Sequence, residues 1–272
     1  MDHNELLEPD RKTLKPHFLF PASPLDRKMI DETFQDQAIA CKMAGFNTSV
    51  LDEERRTFGV KPDKDETVVY RGWMMNMSEY SFYTGVMLAN ECEIITYPMQ
   101  YMATHWLPEW YPKIEALTPE TLIFPNGEMT EWKTTVANGW EKIQVKDYVK
   151  SLKTGGGSVT TDAAGIAQII SDMAKFRGTI EGGICLRRFE EFRPGSETRY
   201  FVIDGKFYGQ EVMFDTRVMD MLIRVARDIP SRFFSVDIAE RTDGRYRVVE
   251  IGDGQVSDLV GWTPERFAEI WK

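Results

Sequence analysis

No run of apolar residues in this sequence is long enough to span a bilayer, so a membrane-crossing helix is not expected to organise the chain. Cysteine is scarce. Cys41, Cys92 and Cys185 are odd in number, far apart and in no Cys-x-x-Cys or Cys/His spacing, which excludes a disulfide frame or a structural zinc site and leaves three reduced core residues. Positive charge is also in deficit: 33 Lys and Arg against 43 Asp and Glu give a formal net charge of -10, so a long polyanion or an anionic membrane surface is not an expected partner. A small nucleotide remains compatible, because a few lysines, backbone N–H groups and a divalent cation neutralise it locally. The Walker spacing GxxxxGK[ST], a KxDG nucleophile motif, internal repeats and low-complexity segments are all missing. The opening residues MDHNELLEPDRK are polar where a secretory signal needs an apolar stretch, which leads us to expect a cytoplasmic protein.

What is present is the composition of a folding chain, with 42% hydrophobic and 28% charged residues, and a length of 272 that suits two or three interlocked subdomains around a cleft. Residues 17–54 read as strand, turn, helix and strand, with Gly45 closing the helix. A strand at 67–70, a helix through 80–89 and a strand near 93–96 continue the α/β alternation. Residues 100–117, aromatic and apolar with Pro108 and Pro112, read as a helical linker region. Thereafter strands are expected at 142–148, 184–189, 197–203, 206–214, 233–240 and 246–251, and helices at 162–176 and 218–229, with hairpin turns at Asp204-Gly205 and Asp243-Gly244.

Three blocks carry chemistry. In VKDYVKSLKTGGGS, 145–158, a strand bearing Lys146 runs into Gly155, Gly156 and Gly157. Glycines let backbone N–H groups approach a polyphosphate, and the lysine neutralises it, although the same pattern also describes a solvated surface loop. In LRRFEEFRPGSETRYFV, 186–202, Glu197 and Arg199 lie two apart on a strand and so share a face, fit for a ribose and a transferring phosphoryl group or for a simple ion pair. In FFSVDIAERTDGRYRVVEIGDGQVSDL, 233–259, Asp237 and Glu250 interrupt apolar strands and Asp253 follows. Converging buried carboxylates call for a cation, with magnesium suited to hard oxygen ligands, unless Arg241, Arg245 or Arg247 satisfies them.

The order of these blocks over 142–262 resembles the ATP-grasp superfamily. YRGW at 70–73, VKDYVKS, SETRYFV and VEIGDGQVSDL resemble its clade named for a pair of arginines and a lysine. The resemblance implies an α/β (α+β ATP-grasp) fold: a Rossmann-like pre-ATP-grasp domain over 1–118, then an ATP-grasp domain over 119–272 whose two α+β subdomains clasp ATP, hinged near 190–193. It implies that Lys146, with Lys150 as substitute, binds phosphate under a loop of Gly155, Gly156, Gly157 and Ser158. Glu190 would accept from the adenine amino group, the backbone around Phe192 at Glu191 and Arg193 would meet the adenine edge, and Glu197 would bind the ribose. Arg199 would face the γ-phosphate, and Asp237 and Glu250 would hold Mg2+. The superfamily commonly has Asn two residues after the metal-binding Glu; here that position is Gly252, and Asp253 or Gln255 is the expected replacement.

The implied activity is ATP- and Mg2+-dependent joining of a carboxylate to an amine through an acyl phosphate, on small molecules or a peptide or protein end. Arg71, after a strand and before a glycine, is expected either to hold a substrate carboxylate or to serve as a helix-capping or structural arginine. Gly182 and Gly183 are expected hinges for loop closure, and His105, among Tyr101, Trp106 and Trp110, is expected to be packed and not catalytic. The rival readings are an ATP-binding regulatory module and a phosphotransferase. Retention of Arg199 beside the metal carboxylates speaks against the first, and a phosphorylated product would identify the second.

Overall fold

Strand β1, Pro16–Pro21, is buried along its whole length, as a strand covered on both faces must be. It pairs in parallel with β2, Asn47–Asp52, and with β4, Thr67–Tyr70. Beyond β4 lies parallel β5, Glu93–Ile94, and antiparallel β3, Thr57–Phe58, edges β2, giving the order β3-β2-β1-β4-β5. Helix α1, Gln35–Met43, makes the first crossover and ends before Gly45, whose φ of 96° only glycine adopts without strain. Helix α2, Met77–Ala89, starts in a capping box between Asn76 and Glu79. Tyr83 of α2 packs on Tyr70 at 5.4 Å, while Phe18 on the opposite sheet face meets Phe267 and Trp271 around helix α7, Pro264–Glu269.

The computed structural model describes residues 14–52, 57–125, 139–149, 157–177, 180–211 and 215–272. They divide into one unit, Met1–Tyr97 with Trp262–Lys272, and a second, Pro98–Gly261. Among them no helix is long and apolar enough to cross a membrane.

The second unit opens with α3, Pro98–His105, and α4, Leu107–Ile114, where the sequence reads as a helical linker. Two antiparallel sheets follow. One has the order β6-β9-β7-β8, from β6 (Thr121–Pro125), β7 (Ile143–Asp147), β8 (Val159–Thr160) and β9 (Gly183–Arg188). Ile143, Val145, Ile184 and Leu186 form a core with Ile166, Ile169 and Met173 of α5, Ala163–Arg177. Edge strands β6 and β8 escape the sequence reading; β8 is only two residues long, too short for a periodicity to register. The other sheet has the order β11-β10-β12-β13, from β10 (Thr198–Ile203), β11 (Lys206–Tyr208), β12 (Phe233–Glu240) and β13 (Tyr246–Asp253). The β10–β11 turn has φ of 48° at Asp204 and 81° at Gly205, the mirror-image turn that matches strand twist. Helix α6, Thr216–Asp228, buries Val218, Leu222 and Val225 against Val202, Val236, Ile238, Val248 and Ile251.

Candidate active site

Arg199, Asp237 and Glu250 form one row across β10, β12 and β13, because Arg199 pairs in register with Asp237 and Asp237 with Glu250. Directly opposed residues project from the same sheet face, so three charges stand side by side. The Arg199 guanidinium grips Asp237 in a fork, Nε to Oδ1 at 2.7 Å and Nη2 to Oδ2 at 2.6 Å, and its Nη1 donates to the Asp258 carbonyl at 2.8 Å. From β7 of the other sheet, Lys146 donates from Nζ to Glu250 Oε1 at 3.1 Å.

A β-bulge makes this row possible. Val248 opposes Ile238 and Glu250 opposes Asp237, leaving Val249 as an extra residue without an opposite number. In an unbroken strand Val248 and Glu250 would share a face; with the bulge, Val248 and Ile251 both enter the apolar core and Glu250 turns to the other side.

Enclosure shapes the ionisation. Burial pushes the Asp237 carboxyl above its ordinary range, with the Arg199 hydrogen bonds pulling the other way. Burial alone would also raise Glu250, but the Lys146 ammonium, with Arg187 and Arg199 beyond it, outweighs burial and leaves Glu250 below the ordinary value. Arg199 is opposed by burial and held above its ordinary value by Asp237. The Cys185 thiol, opposite Lys146 in register, is pushed up to about 12 by burial and is inert as a nucleophile.

Other expected residues fall elsewhere. Ser158 is buried and its carbonyl accepts from Val145 N at 2.7 Å, so the exit of the glycine loop is fastened one residue from Lys146; Gly157 has φ of 79°. Lys150, Gly155 and Gly156 lie outside the described residues. Glu190 does not offer an open carboxylate: Arg247 holds it through two bonds of 3.0 and 3.1 Å, and Arg241 lies 3.4 Å away. Arg247 also donates to the carbonyls of Ala116 and Thr118, so the Glu190 carboxylate ties the segment expected to act as a hinge to the residues before β6. The backbone of 191–193 is partly engaged as well, since Glu191 O accepts from Thr242 N and Arg193 N donates to Glu240 O, with Phe192 bridging Arg241 between them. Glu197 is exposed and precedes β10, which starts at Thr198, one residue later than the pattern suggests.

Asp253 lies on the β13 face opposite Glu250, fully buried, accepting from Gln255 N at 3.0 Å, Gln255 Nε2 at 3.2 Å and Thr104 Oγ1 at 3.5 Å. Neither Asp253 nor Gln255 therefore reaches the row. Gly252 does, and it explains the departure from Asn: a Cβ there would meet Ser257 Oγ at 2.8 Å and Ser235 Oγ at 3.0 Å. Those hydroxyls, 2.7 Å apart, fill the space of an Asn side chain. Among the described residues no group of three or more His, Cys, Asp and Glu side chains is arranged to hold a metal ion. Asp237 and Glu250 remain a fitting pair for magnesium, which takes one or two carboxylates and completes its shell with phosphate and water.

Gly182 and Gly183, the expected hinges, lie in close packing: a Cβ on either would strike the Tyr148 ring, and on Gly183 also the Phe124 carbonyl. His105 is buried and stacked on Tyr101 at 4.7 Å. Arg71 belongs to the first unit, 1% exposed, where its Nη2 donates to Gln37 at 3.0 Å and its guanidinium lies over Phe267 at 4.6 Å. These contacts match the structural alternative expected for it. Conversely, Arg187 on β9 escapes the sequence reading. Of the doublet Arg187-Arg188, Arg188 is exposed near Glu120, and alternation turns Arg187 inward beside Cys185. Strand parity in the doublet was the available signal.

Two antiparallel sheets, each backed by a helix and presenting charged rows, one carrying a lysine and the other carboxylates, define an ATP-grasp fold. The model of an ATP-grasp domain family, the third of the clade named for two arginines and a lysine, matches residues 103–270, and the chain belongs to that family. Similar solved structures include a RimK domain ATP-grasp protein from Sphaerobacter thermophilus, 11% identical over 93% of this chain and 98% of that one, with a TM-score of 0.63. D-alanyl-alanine synthetase A from Vibrio cholerae is 12% identical over 94% and 96% of the two chains, with a TM-score of 0.61. The ATP-grasp ligase PsnB, solved with a phosphomimetic variant of a minimal precursor, Mg and ADP, is 13% identical over 97% and 98%, with a TM-score of 0.60. No curated protein matches the sequence.

Proposed function

We propose that this protein is an ATP-dependent ligase that joins a carboxylate to an amine, with Lys146 and Arg199 on the phosphates and Asp237 and Glu250 on magnesium. The observation that carries the reading is the double pairing of Lys146 with Glu250 and Arg199 with Asp237. Each of these four charges has a partner, so none of the four stands as an isolated ion before substrates arrive. With magnesium and nucleotide bound, Asp237 and Glu250 would hold the cation and Lys146 and Arg199 would hold the phosphates, so each charge would keep an opposite partner. Magnesium would supply charge neutralisation on the phosphate oxygens.

In this reading a substrate carboxylate oxygen attacks the γ-phosphorus, the bond to the β-phosphate oxygen breaks and ADP leaves, giving an acyl phosphate. The amine then attacks the acyl carbon, phosphate departs with the electron pair of the C–O bond, and the amine loses a proton. Arg199 stabilises charge developing on the transferring phosphoryl group, and catalysis rests on positioning and fixed positive charge. The glycine loop including Gly155, Gly156 and Gly157 covers the phosphates, Lys150 assists Lys146, and Glu197 reaches the ribose. Residues 119–272 do the nucleotide work and 1–118 select the acceptor. The similarity to D-alanyl-alanine synthetase and to PsnB, also solved with a precursor peptide, supports amino-acid-like or peptide acceptors.

The test is ADP and phosphate release with ATP and magnesium across pools of amino acids, polyamines and peptides, with Lys146→Ala and Glu250→Ala as controls. Acceptor-dependent release lost in both variants, with an amide-linked product by mass, supports the ligase. Tight ATP binding without turnover in any pool points to a binding module, a phosphorylated product to a phosphotransferase, and absence of ATP binding overturns the reading.

A further inference from the structure

Arg187 is an anomaly in electrostatic terms. It is 2% exposed, and among the described residues no carboxylate lies within ion-pairing distance of it. Its Nε has no hydrogen-bond partner. Burial pushes it down to about 10, against the pull of Glu250 and Glu190 at longer range. An arginine so placed is retained at a cost, since a desolvated cation without an ion partner is unfavourable.

Its contacts explain the placement. Nη1 donates to the Val249 carbonyl at 2.6 Å, and Nη2 contacts the Val248 carbonyl at 3.5 Å and the Thr118 hydroxyl. Thr118 Oγ1 in turn donates to the Val248 carbonyl at 2.8 Å, and the guanidinium lies over the Trp110 ring at 5.6 Å. Val249 is the extra residue of the bulge, the point at which the ladder between β12 and β13 is interrupted. Arg187 therefore reaches from one sheet to cap the irregularity in the other, one residue before Glu250.

We propose that Arg187 is a positioning residue for Glu250: by holding the bulge carbonyls it keeps Val248 in the core and aims the Glu250 carboxylate at Lys146 and at the cation. This rests on the reading of Glu250 as a magnesium ligand. Arg187 itself touches neither metal nor phosphate. It also links β9, which runs into the hinge, to the strand bearing Glu250.

The experiment is calorimetric titration of ADP, with and without magnesium, into wild type, Arg187→Met, Arg187→Lys, Glu250→Gln and the Arg187→Met/Glu250→Gln double variant. Partners that orient metal ligands are typically worth roughly 10- to 100-fold in metal affinity, so Arg187→Met is expected to weaken magnesium-dependent ADP binding by that factor while leaving metal-free binding unchanged. In the Glu250→Gln background the same substitution is expected to change little, because both act through one carboxylate. Arg187→Lys, which keeps the cation and a donor, is expected to fall between, and it carries the test if Arg187→Met does not fold. Equal loss with and without magnesium, or simple additivity in the double variant, would overturn the proposal. If wild type binds no ADP under either condition the ligase reading fails, and the clamp is judged by hydrogen exchange: faster exchange at the Glu250 and Ile251 amides in the Arg187 variant sustains it, and unchanged exchange refutes it.

Discussion

Each unit of this protein buries a polar cluster, and the two are built to opposite ends. In the first unit His17 Nδ1 lies 2.8 Å from Glu66 Oε2 and its Nε2 lies 2.7 Å from Ser49 Oγ, the contacts of a Ser-His-carboxylate triad. Yet Ser49 donates onward to the Val60 carbonyl, and Glu66 accepts from Asn47 Nδ2 at 2.6 Å and Asp63 N at 2.9 Å. All three triad-like residues are buried, so no substrate reaches the hydroxyl. The network is closed and structural. In the second unit the charges come from two sheets, pair across them, and include a guanidinium with an unpartnered nitrogen. Residue types alone would rank the triad first; access and open valence reverse the order.

The sharpest way to break the comparison is to open the closed network. Glu66→Ala should cost about 3–5 kcal/mol in urea unfolding, the price of stranding a buried polar partner, with no selective effect on nucleotide affinity. A selective loss of nucleotide binding would instead make the first-unit cluster part of a site. Next comes Arg199→Met, which leaves Asp237 enclosed without its fork. Unfolding in EDTA should show a loss of about 3 kcal/mol, and added magnesium should stabilise the variant more than wild type. If magnesium favours wild type equally, Asp237 is not a cation ligand.

Asp253→Ala should cost about 1–3 kcal/mol by stranding the Gln255 donors, while the magnesium dependence of ADP binding stays as in wild type. A shifted dependence would return Asp253 to the metal. The smallest effect concerns pH. Glu250 is held below its ordinary value of 4.5, so its contribution to stability is present above that pH and is lost as pH falls through the lower folded value. Its side chain keeps 39% of its surface accessible, which screens the pairing with Lys146. Acid unfolding of Glu250→Gln should therefore be slightly less steep than that of wild type below that pH. Glu66, whose carboxyl is opposed by burial but held low by Asp63, His17 and Asn47, titrates in the same direction, so Glu66→Gln should flatten the acid limb too.

The βαβ opening and both Asp-Gly hairpins follow from local rules: apolar runs, a helix-closing glycine and residues that tolerate positive φ. Asp237 and Glu250 stood out because they interrupt apolar strands, Lys146 because its strand runs into a glycine-rich loop, and Arg199 because it lies two residues from Glu197, all properties of the chain. The contacts of Glu190, Asp253, Arg71 and the glycines at 182 and 183 were not legible, because they are made with partners far away in the chain. A carboxylate near a glycine looks the same on paper whether it faces solvent, Arg247 or Gln255.

The sequence by itself therefore determined the elements, the charged residues within strands and, through their order, the family to which 103–270 belong. Only the tertiary structure decided which charges meet. A bulge at Val249 sets the face to which Glu250 turns, the register of β10 and β12 sets Arg199 against Asp237, and a buried guanidinium on another sheet caps the bulge. The physical reason is range: secondary structure answers to neighbours a few residues away, whereas pairing of buried charges depends on strands separated by up to 104 residues, such as Lys146 and Glu250.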